Sequence, residues 1–212
     1  RGGGPVTIAI DTRPLTAVDV DRASDVLGLA FADYPWTRWV VDGRDHVGRI
    51  TELQRLFLQH LALPYGRASV TTVAGVVQSV ASWFDTAAEL PADIGAALGP
   101  VVAALEGDRH DASAAADAEV HGWRPAERHL YLATMGTAPA HQGNGLGTRT
   151  LQPGIALADR ERLVACLETS SPSNVAFYSR LGFDTVRHWC VADGAGPDLW
   201  LMQRSPRPTT AR

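Results

Sequence analysis

Residues 139–151 read PAHQGNGLGTRTL, three glycines set two apart between a strand-like run and a helix-like one. Glycine has no Cβ, so backbone N–H groups in such a loop can approach a ligand closely. A nucleotide P-loop needs G-x-x-x-x-G-K-[ST], and no lysine follows these glycines. A dinucleotide fingerprint needs G-x-G-x-x-G early in a β-α-β unit, with an acidic residue about 20 positions on. Gly143, Gly145 and Gly147 have the wrong spacing, and a long stretch of chain precedes them. A bare strand-to-helix turn explains the glycines without any ligand. The remaining reading is Gln142-Gly143-Asn144-Gly145-Leu146-Gly147, joining a strand that ends at Thr137 to a helix that starts near Gly145. Loop N–H groups and the unpaired donors of that helix converge on one spot, which suits the pyrophosphate of coenzyme A.

On either side of the loop the pattern alternates between strand and helix. Upstream, RHLYLATMGTAP (128–139) is a strong strand ended by Pro139; downstream, RLVACLETS (162–170) is another. SNVAFYSRLGF (173–183) makes a short helix stopped by Gly182, and FDTVRHWCVA (183–192) and PDLWLMQR (197–204) are closing strands. Towards the N-terminus lie a strand at 7–15, a helix at 19–32 capped by Thr16 or Asp19, and a break at Tyr34-Pro35. A second helix fits 45–63, a β-hairpin 68–84 turns at Ala74-Gly75, and a helix fits 91–107. The polar, small-residue-rich stretch 106–128 is expected to be a mobile helix or loop. The expected fold class is mixed α/β in one domain over 5–205, with loose ends at 1–4 and 206–212.

Composition narrows the function classes. With 45% hydrophobic and 20% charged residues the chain has the makeup of a globular protein, and no apolar run is long enough for a membrane span. Net charge is −4, all nineteen basic residues are arginine, and they do not cluster, which argues against a nucleic-acid partner. Cys166 and Cys190 stand 24 apart, neither a zinc spacing nor a disulfide framework. Reduced thiols in a cytoplasmic protein without a metal are expected.

The chain resembles the GNAT family of acetyl-CoA-dependent N-acetyltransferases. The resemblance rests on Pro139 three residues before Gln142, on the glycine loop, on Asn174, Tyr178 and Leu181-Gly182-Phe183, and on the order of elements. Within the family, AFADYP (30–35), TELQ-x-LFL (51–58), HQGNGLG (141–147) and LETS-x-P-x-N-x-x-FY-x-RLGF (167–183) are similar to the puromycin N-acetyltransferases. The family implies a twisted, mostly antiparallel sheet of about seven strands, splayed at its centre and flanked by helices. It implies acetyl-CoA as co-substrate, a small-molecule amine as acceptor, and a monomer or homodimer.

Carried onto this sequence, the backbones of Met135, Gly136 and Thr137 would pair with the pantetheine arm. The Met135 N–H would face the thioester oxygen. Gln142, Gly143, Asn144, Gly145, Leu146, Gly147 and Thr148 would hold the phosphates, and Asn174 the coenzyme or its own helix terminus. Relatives often carry Lys or Arg where this chain has Asn144, and Arg149 is a possible substitute. Tyr178 is the expected general acid for the thiolate. Glu168 is the expected base, because Val164 and Cys166 share its strand face and an apolar layer would raise its pKa. Asp33, Tyr34 and His129, or a water chain, are the alternatives. Asp33, Tyr34, Trp36 and Trp83 are expected at the acceptor site, where aromatic faces and acids suit a flat cationic amine. Trp36 would narrow that site. Other acceptors remain open, namely an amino acid, another antibiotic or a protein N-terminus, as does a non-catalytic acyl-CoA-binding module.

Overall fold

A computed structural model describes residues 8–208. The RGGG tail and residues 209–212 lie outside the described residues. Seven strands form one sheet: β1 (Ile10–Pro14), β2 (Arg67–Val73), β3 (Val76–Asp85), β4 (His129–Thr137), β5 (Val164–Thr169), β6 (Asp184–Cys190) and β7 (Asp198–Arg204). Their order is β1-β2-β3-β4-β5-β7-β6, and every pairing is antiparallel except β4 with β5. The helices are α1 (Val20–Ala30), α2 (Pro35–Val40), α3 (His46–Phe57), α4 (Leu63–Tyr65), α5 (Ile94–Glu106), α6 (His110–His121), α7 (Leu146–Glu161) and α8 (Pro172–Arg180). This is the mixed α/β sheet architecture that the element order predicts.

Two packed layers hold the sheet. On one side Trp83, Leu130, Leu132 and Leu167 bury against Leu151, Ile155 and Ala158 of α7 and against Tyr178 and Phe183. On the other, Val70, Val77 and Val80 bury against Ala23, Val26 and Leu27 of α1 and against Leu58 and Ala62. Covering β3 on both faces leaves Val77 to Trp83 buried without alternation. A short π-helical turn, Leu58–Ala62, interrupts the helix expected over 45–63.

The segment 106–128 departs from expectation. It holds an ordered helix, α6, whose Ala116 and Val120 pack against Val191 and Leu199 with Trp36, Trp39 and Trp189 alongside. Its Ser113, Ala116 and Val120 recur at helical spacing and supply a narrow apolar stripe. Small side chains made this stripe weak in hydropathy, yet it is enough to seat α6 over one end of the sheet.

The break at the centre of the sheet positions the site. Strands β4 and β5 pair only from His129–Val164 to Tyr131–Cys166 and then separate. At the point of separation β4 carries one extra residue: Ser82 opposes Thr134 but Trp83 opposes Leu132, leaving Ala133 as a bulge. A bulge bends its strand and increases the local twist, which carries the rest of β4 away from β5.

Candidate active site

The separation of β4 and β5 is open on both sides. A groove of about 710 Å3 runs along the glycine loop, and a cleft of about 270 Å3 lies beneath α6 and α2. Phe31, Tyr34, Met135, Asn174 and Tyr178 line both, so the two spaces meet at these residues.

The backbone of β4 turns towards this junction. The Ala138 N–H donates to the Gln78 carbonyl at 2.8 Å, which makes 78/138 a hydrogen-bonded pair. In an antiparallel ladder the bonded pairs alternate, so Gly136 bonds to β3 while Met135 and Thr137 direct their N–H and C=O groups to the other side. There β5 has already left. The Thr137 carbonyl is met by Gln142 Nε2 at 3.1 Å, which ties the start of the glycine loop to the end of β4.

Each loop glycine has its own physical reason. Gly143 and Gly145 adopt φ of 77° and 75°, left-handed values that favour glycine, with open space where a Cβ would stand. Gly145 is also the N-cap of α7, so the helix begins on that turn. Gly147 differs, because a Cβ there would run into the end of the Met135 side chain. Gly136 lets α1 approach β4, since a Cβ would come within 2.9 Å of both Ala30 Cβ and Leu27 Cδ2. The open backbone of the loop, the start of a 16-residue helix and the unpaired edge of β4 together fit a pyrophosphate followed by an amide-bearing arm. Leu146 is buried under the loop, Thr148 lines the groove, and exposed Asn144 donates to the His141 carbonyl at 3.4 Å. Arg149 is exposed on the first turn of α7.

Tyr178 stands at the junction because α8 presents it there. Ser171 is the N-cap of α8 and Pro172 its first residue, with Asn174 on the same first turn. Tyr178 is buried, its ring edge-on to Phe177 at 5.1 Å and to Phe183 at 5.8 Å. Burial, followed by repulsion from Tyr34, pushes its pKa well above the usual tyrosine value. Among the described residues its hydroxyl has no hydrogen-bond partner. The phenol is therefore neutral and free to donate.

The surroundings of Glu168 differ from those the strand pattern suggests. The layer is not apolar, because Arg124 reaches in from beyond α6. Arg124 Nε donates to Glu168 Oε1 at 2.7 Å and Nη2 to Oε2 at 3.2 Å, and the Tyr131 hydroxyl donates to Oε2 at 2.7 Å. The Arg124 guanidinium also covers the Tyr131 ring, 3.9 Å from its centroid, while Nη2 donates to the Tyr131 oxygen at 2.8 Å. Burial and then the charge of Glu168 raise the Tyr131 pKa far above its usual value. Glu168 lines the cleft as one member of a closed network, with both oxygens occupied.

The other expected residues divide. Tyr34 lines groove and cleft, but its hydroxyl is engaged, accepting from the Ser170 N–H at 2.7 Å and bonding the Thr169 hydroxyl at 3.1 Å. Trp36 lines the cleft, its backbone N–H donating to Ser170 Oγ at 3.0 Å. Asp33 is on the groove side, exposed and ion-paired with Arg38. Trp83 is misplaced by the sequence reading. It is fully buried in the core against Gly154 of α7 and lines neither the groove nor the cleft. His129 sits at the far end of β4 with Nδ1 on the Glu127 carbonyl, clear of both spaces. Cys166 is buried and its thiol is pushed up to about 12 by desolvation and by Glu168, which suits no nucleophile. Cys190 is exposed and free.

Sequence reasoning missed Asp117, Arg124 and Tyr131, all of which line the cleft. A partial signal exists for Asp117: Ser113, Asp117 and Val120 repeat at four and three residues along α6, while Arg124 stands past the end of that helix.

Residues 76–183 match the Acetyltransferase (GNAT) family, which is more than half of the chain. The chain belongs to that family. It is an acetyl-CoA-dependent N-acetyltransferase. An acetyltransferase from Corynebacterium glutamicum, related to histone acetyltransferases, superposes with a TM-score of 0.70 at 24% identity, over 95% of this chain and 99% of that one. A Salmonella typhimurium protein assigned as an acetyltransferase, solved with its cofactor acetyl-CoA, gives 0.57 at 20% identity over 96% and 97%. The ribosomal-protein-S18-alanine N-acetyltransferase of Escherichia coli gives 0.53 at 15% identity over 96% and 99%. These likenesses establish the GNAT fold. Among the described residues no helix is long and apolar enough to cross a membrane.

Proposed function

We propose that this chain transfers the acetyl group of acetyl-CoA directly to the primary amine of a small, cationic, aromatic molecule, with aminonucleosides such as puromycin as the acceptor class. The observation that carries the reading is the junction itself. A groove suited to the coenzyme and a cleft lined by acids and aromatic rings meet at Tyr178 and at the unpaired edge of β4. Phe31, Tyr34 and Trp36 offer ring faces to a flat acceptor, and the acidic lining favours a cation.

Acetyl-CoA supplies an activated acyl group, and this chain's residues orient and polarise. The Gly143–Gly147 loop and the first turn of α7 take the pyrophosphate, with Thr148 beside them. Met135 and Thr137 offer N–H groups along the edge of β4. The Met135 N–H is the donor for the negative charge that develops on the carbonyl oxygen. Tyr178 protonates the departing sulfur: its raised pKa keeps the proton in place until a thiolate, desolvated in the same enclosed junction, draws it off. Asn174 and Tyr34 close the walls between the two substrates. Holding both in one enclosure supplies a large part of the rate through orientation.

The test is thiol release from acetyl-CoA against a panel of amines containing puromycin, aromatic monoamines, amino acids and a peptide N-terminus. Release that depends on puromycin or another aromatic amine, with acetylated amine recovered, supports the reading. Release only with amino acids or the peptide overturns the acceptor class.

A further inference from the structure

Three residues of the acceptor cleft carry charge: Arg124 and Glu168, which neutralise each other, and Asp117. Asp117 lies on α6 between the buried Ala116 and Val120, and Arg124 follows just beyond the end of that helix. Among the described residues its carboxylate has neither a hydrogen bond nor an ion pair. Its side chain is exposed where it lines the cleft. Glu106 of α5, the other acid nearby, has its oxygens occupied by His110 at 2.6 Å and Ser113 at 2.8 Å. Among the described residues, the cleft thus contains one carboxylate with no protein partner. A solvent-reachable carboxylate without a protein partner is available to form a charge-assisted hydrogen bond with a cationic ligand that enters the cleft.

We propose that Asp117 is the acceptor-recognition group of this enzyme, binding the ammonium of the incoming amine and taking its proton. The proposal rests on the reading that the cleft beneath α6 receives the acceptor. The protons and electrons balance as follows. The ammonium gives one proton to the Asp117 carboxylate, which frees the nitrogen lone pair. The lone pair forms the C–N bond to the acetyl carbon while the C–S bond breaks. Tyr178 protonates the sulfur and regains a proton from the acylated nitrogen. Asp117 then returns its proton to solvent, the one proton the overall reaction releases. The electrostatics suit this role. Desolvation first, then repulsion from Glu106 and Glu168 with Arg124 opposing, pushes the Asp117 carboxyl up to about 6. It is therefore ionised at neutral pH and basic enough to hold a proton briefly.

Two measurements on the full chain with bound coenzyme A decide the matter. Calorimetric binding of phenethylamine, of the neutral isostere 2-phenylethanol, and of puromycin is compared in wild type, Asp117→Asn and Asp117→Glu. The wild type should prefer the amine to the alcohol, and Asp117→Asn should lose roughly 10- to 100-fold in amine affinity. Alcohol binding, coenzyme A binding and thermal midpoint should stay unchanged, and Asp117→Glu should restore part of the preference. In turnover, the acidic limb near pH 6 in kcat/KM for the amine should disappear from Asp117→Asn. Equal amine binding by wild type and Asp117→Asn, an unmoved acidic limb, or no amine binding by wild type overturns the proposal. Amine binding that depends on Asp117 without acetyl transfer would leave this assignment standing and count against the transfer reading instead.

Discussion

Arg124 and Glu168, 44 residues apart in sequence, close a two-point ion pair in the wall of the cleft beneath α6, with Nε 2.7 Å from Oε1 and Nη2 3.2 Å from Oε2. The pair joins the segment after α6 to β5, and Tyr131 of β4 completes it. It thus spans the place where β4 and β5 part, and holds the cleft wall while the strands diverge.

Breaking that pair from one side should be severe. Arg124→Ala leaves a mostly buried carboxylate without its counter-charge, which typically costs about 3–5 kcal/mol. Replacing both partners together, as Arg124→Met with Glu168→Met, should cost clearly less, because no buried charge is stranded. Urea unfolding of Arg124→Ala and of the double variant checks this. A double variant as unstable as Arg124→Ala would show that packing, and not charge pairing, is what the arginine supplies.

Tyr178→Phe keeps the ring between Phe177 and Phe183 and removes only the hydroxyl. Turnover should fall by about 100-fold or more, the size expected for loss of a general acid. The dissociation constant of acetyl-CoA should change little. Initial rates paired with equilibrium titration separate the two, and unchanged turnover would remove Tyr178 from the chemistry.

Gly145→Ala tests the loop. With φ at 75° and nothing near the would-be Cβ, the penalty is conformational and not steric, roughly 1–2 kcal/mol. That strain falls on the N-cap of α7, so coenzyme A affinity should drop by about tenfold while the acceptor's KM stays near wild type. A variant that binds coenzyme A normally but loses the acceptor would place the coenzyme elsewhere.

Asp19 gives a pH prediction. Its bidentate bonds from Arg13, at 2.7 and 2.8 Å, and those from Thr16 hold its carboxyl far below the usual value. A depressed folded pKa means the stabilisation is whole above the unfolded carboxyl's ~3.9 and is lost as pH falls towards the folded value. Wild type should exceed Asp19→Asn in stability at pH 7, and the gap should narrow steadily below about pH 5. A gap constant from pH 7 to 3 would contradict the pairing.

Much of the fold was legible because local signals carry it. The glycine spacing after Pro139, the hairpin turn at Ala74-Gly75 and the short helix that Gly182 stops each follow from backbone chemistry over a few residues. Trp83 was misplaced for a physical reason: β3 is buried on both faces, so alternation could not tell cleft from core. Glu168 was read correctly as facing inward, but its partner comes from a segment with little hydropathy. Asp117 and Val120 follow helical spacing, yet nothing local says that α6 lies over the sheet or that the chain beyond it turns Arg124 inward. Pairings across 44 residues are set by tertiary packing, and strand periodicity cannot report them.

The central claim is direct acetyl transfer at the junction of groove and cleft, and initial rates with both substrates varied test it most directly. Double-reciprocal lines that intersect, with no acetyl group found on the protein when acetyl-CoA is supplied alone, are the predicted result. Parallel lines together with an acetylated protein, for instance at Cys166, would contradict it.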